Sequence, residues 1–450
     1  MHIPDEILSA VDSSITDLIS LHQALVRIKS VNTGIMPTGN ETAVCEFVQQ
    51  WLSDEGIDSE ILARDPNRGN LIANIDGTSG QAGLMFMSHT DVVPVEDENK
   101  WSMPPFGATI SDGRIYGRGS NDCKGLLAAQ LMAMSILKRT GVHLRDGLIL
   151  ASGADEEHGG RYGFEWLAEN YPEKIAAPLA INEGGGEPIS SGSLTYLLGT
   201  GEKGRLQIEI NVKGTSAHAS VPWQGNNAMY RVGQVLQRIE AYKPELDTSS
   251  ELFKHLSTFA VEHKPSPDNI TEIISDMESV NPRFASVLRA LSRMTVTPTM
   301  VSGGIKSNSV PESVSITCDV RTLPHQDEQY VRTELNEALD GIPGVDFEID
   351  YMAVPNSSPF QTNFADRIRS VTQLVLGRQI QWVPMTSTGF TDSRFTRTLD
   401  TTTYGFAGSH PDDDPLLSNI HGTDESIGIN SLVSGTKIML GLSYDLLAAL

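Results

Sequence analysis

The sequence predicts an α/β protein in which a mostly parallel sheet, with helices on both faces, is interrupted by an inserted α+β module. Three features predict it. Apolar runs at 70–75 (NLIANI), 83–88 (GLMFMS), 147–154 (GLILASGA) and 178–182 (PLAIN) alternate with helical patterns at 126–139 and about 162–170. Strands that are apolar throughout are the ones a sheet buries on both faces. Near residue 203 the texture changes, and RLQIEINVKG (205–214) alternates apolar with polar residues, the mark of a strand with one wet face. Helical spacing returns at 364–376 and 431–449, supplying helices that close the first domain. The chain therefore divides into 1–202, the main domain's first part, 203–354, the insert, and 355–450, the main domain's second part.

The remaining elements follow the same periodicities. Residues 6–30 and 41–56 carry apolar positions at helical spacing, with Asn40 as N-cap and Glu41 and Thr42 in the first turn. Within the insert, helical material at 226–242 precedes a less periodic stretch, 244–293. Strands are expected at 295–304 and 313–321, a helix at about 327–340 and a strand at 345–351.

Composition narrows the function classes. The 33 Lys+Arg stand against 57 Asp+Glu, a net charge of −24, and such a field repels phosphate backbones and anionic lipid. Neither nucleic acid nor a membrane surface is an expected partner. Three scattered cysteines, Cys45, Cys123 and Cys318, form no CxxC pair, which argues against a disulfide framework or a thiolate zinc site. The N-terminus, MHIPDEILSAVDSS, places acids where a signal peptide places bases. A cytoplasmic protein is the expectation.

The chemistry lies where acids and histidines meet the apolar strands. MSHTDVVPV (87–95) puts His89 and Asp91 after one strand, two residues apart and so on one face of an extended segment. Asp91 could orient His89; a structural histidine with a neighbouring acid is the plainer alternative. GRGSNDCKG (117–125) puts Asp122 in a glycine-rich loop before a helix, which Asn121 or Asp122 could instead cap. GADEEHGG (153–160) puts Glu156 and Glu157 after the most apolar strand, and AINEGGG (180–186) does the same for Glu183. Adjacent carboxylates there are costly unless solvated or compensated by cations. SNIHGTDESIGI (418–429) adds His421. Four strands thus deliver acids and histidines to one sheet edge, where open α/β sheets bind ligands. Two histidines with several carboxylates suit zinc, with cobalt or manganese as substitutes, and the surplus of carboxylates fits two metals sharing one bridge.

The ordered set HTDVVP, GRGSNDCKG, DEEHGG, NEGGG and IHG resembles the co-catalytic metallopeptidase family of aminoacylase, acetylornithine deacetylase, succinyl-diaminopimelate desuccinylase and glutamate carboxypeptidase. The resemblance runs from about residue 15 to the C-terminus. It implies a catalytic domain carrying an inserted lid and dimerisation domain, and two divalent metal ions per subunit. Asp122 would bridge them, with His89 and Glu183 on one and Glu157 and His421 on the other. It further implies that Asp91 orients His89, that Glu156 is the general base, and that a cis peptide joins Asp122 to Cys123, a backbone position rather than a nucleophile.

In the insert, GTSAHASVPWQGNNAM (214–229) resembles the segment that carries a histidine, here His218, into a partner subunit's site. A solvated loop histidine is the alternative. GGIKSNSVPESVSITCDVR (303–321) resembles the segment whose Asn308 and Arg321 face substrate, although Arg321 could instead pair with Asp319. Gly389, in TSTGFTDSRF, would let backbone approach the same substrate group. The family implies a homodimer that hydrolyses an amide beside a carboxylate. In that family deacylases tend to carry Glu where carboxypeptidases and dipeptidases carry Asp, so the resemblance, with Glu183, leans toward deacylation of N-acyl amino acids; carboxypeptidase or dipeptidase action on short peptides is the alternative. A catalytically silent homologue is a third reading, against which the retention of Glu156 speaks. No GxSxG elbow supports a serine hydrolase.

Overall fold

The computed structural model describes residues 3–190 and 193–449, so Met1 and His2 of the N-terminal stretch lie outside it. The chain forms two compact units, residues 1–200, 358–385 and 391–450 in one and 201–357 and 386–390 in the other. Across the first unit's sheet run Asp58–Ala63, Gly69–Ile75, Gly147–Gly153, Ala82–His89, Leu179–Asn182, Thr402–Gly405 and Leu194–Glu202. The four central strands, from Gly147–Gly153 to Thr402–Gly405, are parallel, and antiparallel strands edge them.

Alternation along one strand sorts the two layers of core. Leu84 and Phe86 join the cluster built with the helices Asp5–Ser13, Ile15–Arg27, Glu41–Asp54, Lys124–Arg139 and Ile429–Leu447. Met85 and Met87 point the other way, onto Phe164 and Leu167 of the helix Phe164–Asn170 and onto Ile175. Period-two side chains thereby place helices on both faces. Residues 124–137 of the helix Lys124–Arg139 are buried throughout. The buried Lys124 Nζ donates to Leu25 O (3.0 Å) and Ile28 O (2.7 Å), satisfying carbonyls at the end of a neighbouring helix.

The N-terminal helix expected at 6–30 is two helices, broken at Ser14. Ser14 Oγ donates to Ala10 O (2.9 Å), the back-bonding by which serine competes with helix continuation. Asn40 is also corrected. It precedes the helix Glu41–Asp54, but at φ 82° its side chain makes no capping bond and donates instead to Lys29 O (3.3 Å).

The second unit is built on a four-stranded antiparallel sheet in the order Thr295–Gly303, Ser313–Thr322, Gly204–Lys213, Val345–Ala353. Leu206, Ile208, Ile210 and Val212 are buried while Gln207 and Glu209 face outward, which confirms the one-wet-face reading. The helices Ala228–Ala241 and Glu328–Leu339 cover the dry face through Val232, Val235, Val331 and Leu335. The stretch 244–293 is more regular than its sequence suggests, with the helices Ile270–Val280 and Pro282–Leu291 and a 3-10 segment, Glu251–Phe259. Lys203, fully buried, donates to Ala290 O and Arg293 O (2.6 and 2.7 Å) and anchors that segment. Among the described residues no helix is long and apolar enough to cross a membrane.

One buried group links the fold to acidity. His22 Nε2 lies 2.8 Å from Ser120 O, and its Nδ1 has no partner. Burial lowers the pKa of His22 from the ordinary value to about 4. The folded value lies below the unfolded one, so the contribution is complete above pH about 6.5 and is lost as pH falls toward about 4. In thermal melts between about pH 7 and pH 4.5, His22→Gln is expected to lose a few degrees less than the wild type. Identical acid limbs would contradict the assignment.

Candidate metal centre

Each acidic or histidine motif lies at the carboxyl end of a strand of the first unit or in a loop beside it. His89 ends its strand and pairs in register with Gly153, the last residue of the next. Glu156 and Glu157 follow in a 3-10 turn, and Glu183 follows Asn182 at the end of the strand Leu179–Asn182. Asp122 lies in the loop before the helix Lys124–Arg139, joined to Cys123 by a cis peptide. The residue at the helix N-cap is Cys123, and neither Asn121 nor Asp122 caps it with a side chain. The capping alternative therefore fails.

The two oxygens of Asp122 face different partners. Oδ1 is 2.9 Å from His89 Nε2, which is itself 3.5 Å from Glu183 Oε1. Oδ2 is 3.1 Å from His421 Nε2, which is also 3.1 Å from Glu157 Oε2. Ligand atoms of His89, Asp122 and Glu157 lie within 4.8 Å of one another, and so do those of His89, Cys123 and Glu183. Glu157 Oε1 is buried without a hydrogen-bond partner. Imidazole and carboxylate donors converging from two sides on one carboxylate suit a pair of divalent cations such as zinc. The set fits the metals that the sequence implies.

Asp91 has a broader task than orienting His89. His89 Nδ1 is closest to the Asp91 backbone carbonyl (3.0 Å), with the carboxylate at 3.5 Å. The carboxylate accepts the N–H groups of Glu156 (3.1 Å) and Glu157 (3.2 Å), together with Asn32 Nδ2 (2.8 Å). Asp91 thus fixes the turn that carries both glutamates. Asn32 also donates to Asp155 (3.0 Å), which Arg68 joins to Glu41 (2.9 and 2.7 Å). On the other side, Glu425 Oε1 accepts the N–H groups of Asn121 and Asp122 (3.0 and 3.1 Å), while Arg118 holds its Oε2 at 2.6 Å. Sequence reasoning gave no role at the site to Asn32, Glu41, Arg68, Asp155, Glu425 or Asp392. Asp155, Asp392 and Glu425 carried a signal, since they lie inside the quoted segments GADEEHGG, TSTGFTDSRF and SNIHGTDESIGI.

Electrostatics follow from this crowding. Burial opposes ionisation of Asp122, but hydrogen bonds from His421 and His89 outweigh it and hold its carboxyl well below the usual range. His421 is pushed up to about 10 by Asp122 and Glu157. Burial, reinforced by Glu183, raises Glu156 well above an ordinary glutamate. Burial raises Glu183 to about 7 and Asp392, whose oxygens have no partner, to about 8. Burial also holds the Cys123 thiol up at about 12, and its Sγ accepts the His89 N–H (3.3 Å). It is not an activated nucleophile.

The other singled-out residues lie in the second unit, in two groups. His218, in a short strand paired with Ser309–Val310, is exposed, and the Asn308 carbonyl accepts the Ala219 N–H (3.0 Å). His218 Nδ1 accepts the Ser220 N–H (3.2 Å), which leaves Nε2 as the proton-bearing nitrogen of the neutral ring. Arg321 pairs with Asp319 as the sequence alternative allowed, Nε to Oδ1 at 2.7 Å and Nη2 to Oδ2 at 3.2 Å. Its Nη1 reaches Thr388 O (3.4 Å), beside Gly389, whose N–H is donated to Ser387 Oγ (3.0 Å).

Comparison with known proteins places the chain. It is 29% identical over 372 residues to a probable succinyl-diaminopimelate desuccinylase of Staphylococcus epidermidis, covering 80% of each. Its fold resembles that of an M20 family metallo-carboxypeptidase from Sulfolobus solfataricus, with a TM-score of 0.73, 19% identity, and coverage of 95% of this chain and 98% of that one. It also resembles a dinuclear metal-binding peptidase of the M20 family from Bacillus subtilis, with a TM-score of 0.61, 15% identity, and coverage of 96% and 98%. A model of the peptidase family M20/M25/M40 matches residues 85–445, and the chain belongs to that family of metallohydrolases.

Proposed function

We propose that this family member is a dinuclear metal-dependent hydrolase that cleaves the amide bond of an N-acyl amino acid. The observation that carries the reading is Asp122, with one oxygen toward His89 and Glu183 and the other toward His421 and Glu157. His89, Asp122 and Glu183 would hold one ion, and Asp122, Glu157 and His421 the second, most simply zinc with cobalt or manganese as substitutes. The B. subtilis peptidase's description as dinuclear supports the stoichiometry, and the desuccinylase relative supports a deacylase. Two such cations supply polarisation of the scissile carbonyl and a lowered pKa for the attacking water.

The chain's own groups do the rest. Glu156 stands beside the proposed ligands without pairing with either imidazole. Its carboxylate takes a proton from water and passes it to the leaving nitrogen, while Asp91 holds its backbone in place. Asp319 grips Arg321 along the Nε–Nη2 side. The Nη1 end, with donors to spare, receives the carboxylate of the amino-acid product, assisted by Asn308 and by backbone near Gly389. His218 donates from Nε2 to the oxyanion of a partner subunit's substrate. A homodimer through the outer strand Thr295–Gly303 is supported by its unpaired edge and by exposed Met300 and Val301.

Glu156→Gln is expected to keep its metal content and lose about a hundred- to ten-thousandfold in turnover, and His218→Ala is expected to be nearly inactive as well. Mixing the two chains should restore part of the activity in the heterodimer. No recovery with heterodimer demonstrably formed would remove His218 from the partner's site, and near-normal turnover by Glu156→Gln would remove Glu156 from the mechanism. Separately, replacing the substrate carboxylate by a carboxamide should lower kcat/KM about ten- to a hundredfold, with much of that preference lost in Arg321→Lys. Equal turnover of acid and amide would show that no cation receives the carboxylate.

A further inference from the structure

The wet face of the second unit's sheet carries two positive charges that one acid answers. Arg205 and Arg321 stand directly opposite each other on the strands Gly204–Lys213 and Ser313–Thr322. Their outer neighbours on the same row, Ala353 and Thr295, are uncharged. Like charges set directly across an antiparallel pair are destabilising. Relief comes from the next row, where Asp319 accepts from both arginines. Its Oδ2 is 3.2 Å from Arg205 Nε and 3.2 Å from Arg321 Nη2, and its Oδ1 is 2.7 Å from Arg321 Nε. Asp350 shares that row, but among the described residues the ion-pair partner of both arginines is Asp319.

The same two guanidiniums also lie over the ring of Phe390, at 5.4 and 5.8 Å from its centroid. Arg205 donates to Asp319 through Nε alone, so among the described residues its two Nη groups have no hydrogen-bond partner. Arg321 Nη1 has the long contact to Thr388 O, at 3.4 Å. The Arg205 and Arg321 side chains are 28% and 22% exposed, within reach of a small ligand. The positive field extends inward as well. Burial lowers Lys203 to about 7, and Arg321 and Arg293 push the same way. Two guanidiniums and one carboxylate leave a positive charge over, which a single carboxylate neutralises through the free Nη groups. A local rule broken without a structural gain is the mark of a functional position.

We propose that Arg205 is a specificity-determining residue that receives the substrate's carboxylate together with Arg321, so that the amino-acid half is held by two guanidiniums rather than one. This rests on the hydrolase reading above, in which Arg321 takes that carboxylate. Arg205 is not among the residues that the family resemblance implies. Its contribution is charge matching: Asp319 fixes both guanidiniums, and the substrate supplies the second anion that the pair lacks.

The test compares N-acetylmethionine with its carboxamide across a double-variant cycle. Arg205→Ala is expected to cut the acid-to-carboxamide ratio of kcat/KM about five- to tenfold, chiefly through KM, with Arg205→Lys keeping part of the preference. In Arg321→Ala some preference for the acid should survive, and it should vanish when Arg205→Ala is added. A double variant no different from Arg321→Ala would show that Arg205 only holds Arg321 in place, through Asp319 and Phe390, and would overturn the proposal. So would an Arg205→Ala enzyme that slows acid and carboxamide equally. A loss confined to N-acetylglutamate, set against N-acetylglutamine, would mean that Arg205 reads a second anion, and this too overturns it. Calorimetric binding of methionine and methioninamide, the two leaving halves, to the metal-loaded protein separates this idea from the hydrolase reading. A preference for methionine that weakens in Arg205→Ala, without turnover of any amide, would uphold Arg205 and sink the hydrolase. Turnover with an acid-to-carboxamide ratio untouched by Arg205→Ala would do the reverse.

Discussion

The structure depends on the concentration of negative charge at the carboxyl ends of the central strands. Asp91, Asp122, Asp155, Glu156, Glu157, Glu183 and Asp392 are gathered at one edge of the first unit, many of them buried. Like charges in a medium of low dielectric repel strongly and ionise reluctantly. Part of this charge is met by the chain itself. Arg68 joins Glu41 to Asp155, Arg118 meets Glu425, and backbone N–H groups and Asn32 cover Asp91. Asp122, Glu157 and Glu183 are left with imidazoles, and one oxygen of Glu157 has no partner. The demand for positive charge is therefore greatest between the two histidines.

That demand explains why so much distant chain is committed to the site. His22, on the second helix, is bonded to Ser120 O, two residues before Asp122. Glu425 gathers the N–H groups of Gly119, Asn121 and Asp122 from about three hundred residues away in the chain. Asp91 ties the end of one strand to the turn after its neighbour. Bringing such groups together costs chain entropy and desolvation, and only a packed scaffold can hold them there.

Much of this was legible in the sequence, and the reason is geometrical. A continuous apolar run such as GLILASGA can only be a buried strand or helix segment, and the acids directly after it fall at the strand's end. His89, Asp122, Glu156, Glu157, Glu183 and His421 were therefore found together from local pattern and from family order. The partners that hold them were not. Asn32 and Arg68 are single polar residues in unremarkable surroundings, and what defines them is contact with residues 59 and 87 positions away. The helix Ile270–Val280 was readable in principle, since Ile270, Ile273, Ile274 and Met277 keep helical spacing. Prolines at 265, 267 and 282 break the pattern around it and hid the signal. Asn40 shows the opposite error: a good capping residue stands at the right place, but its left-handed backbone turns the side chain elsewhere.

In the function proposed above, the carboxylates around Asp122 share two divalent cations through that one residue. Elemental analysis combined with calorimetric zinc titration of the wild type and of Asp122→Ala tests it most directly, with circular dichroism confirming that the variant is folded. The wild type is expected to saturate at two ions per chain and Asp122→Ala to hold neither tightly. A wild type that saturates at one ion, or a folded Asp122→Ala that still binds two with unchanged affinity, would contradict it.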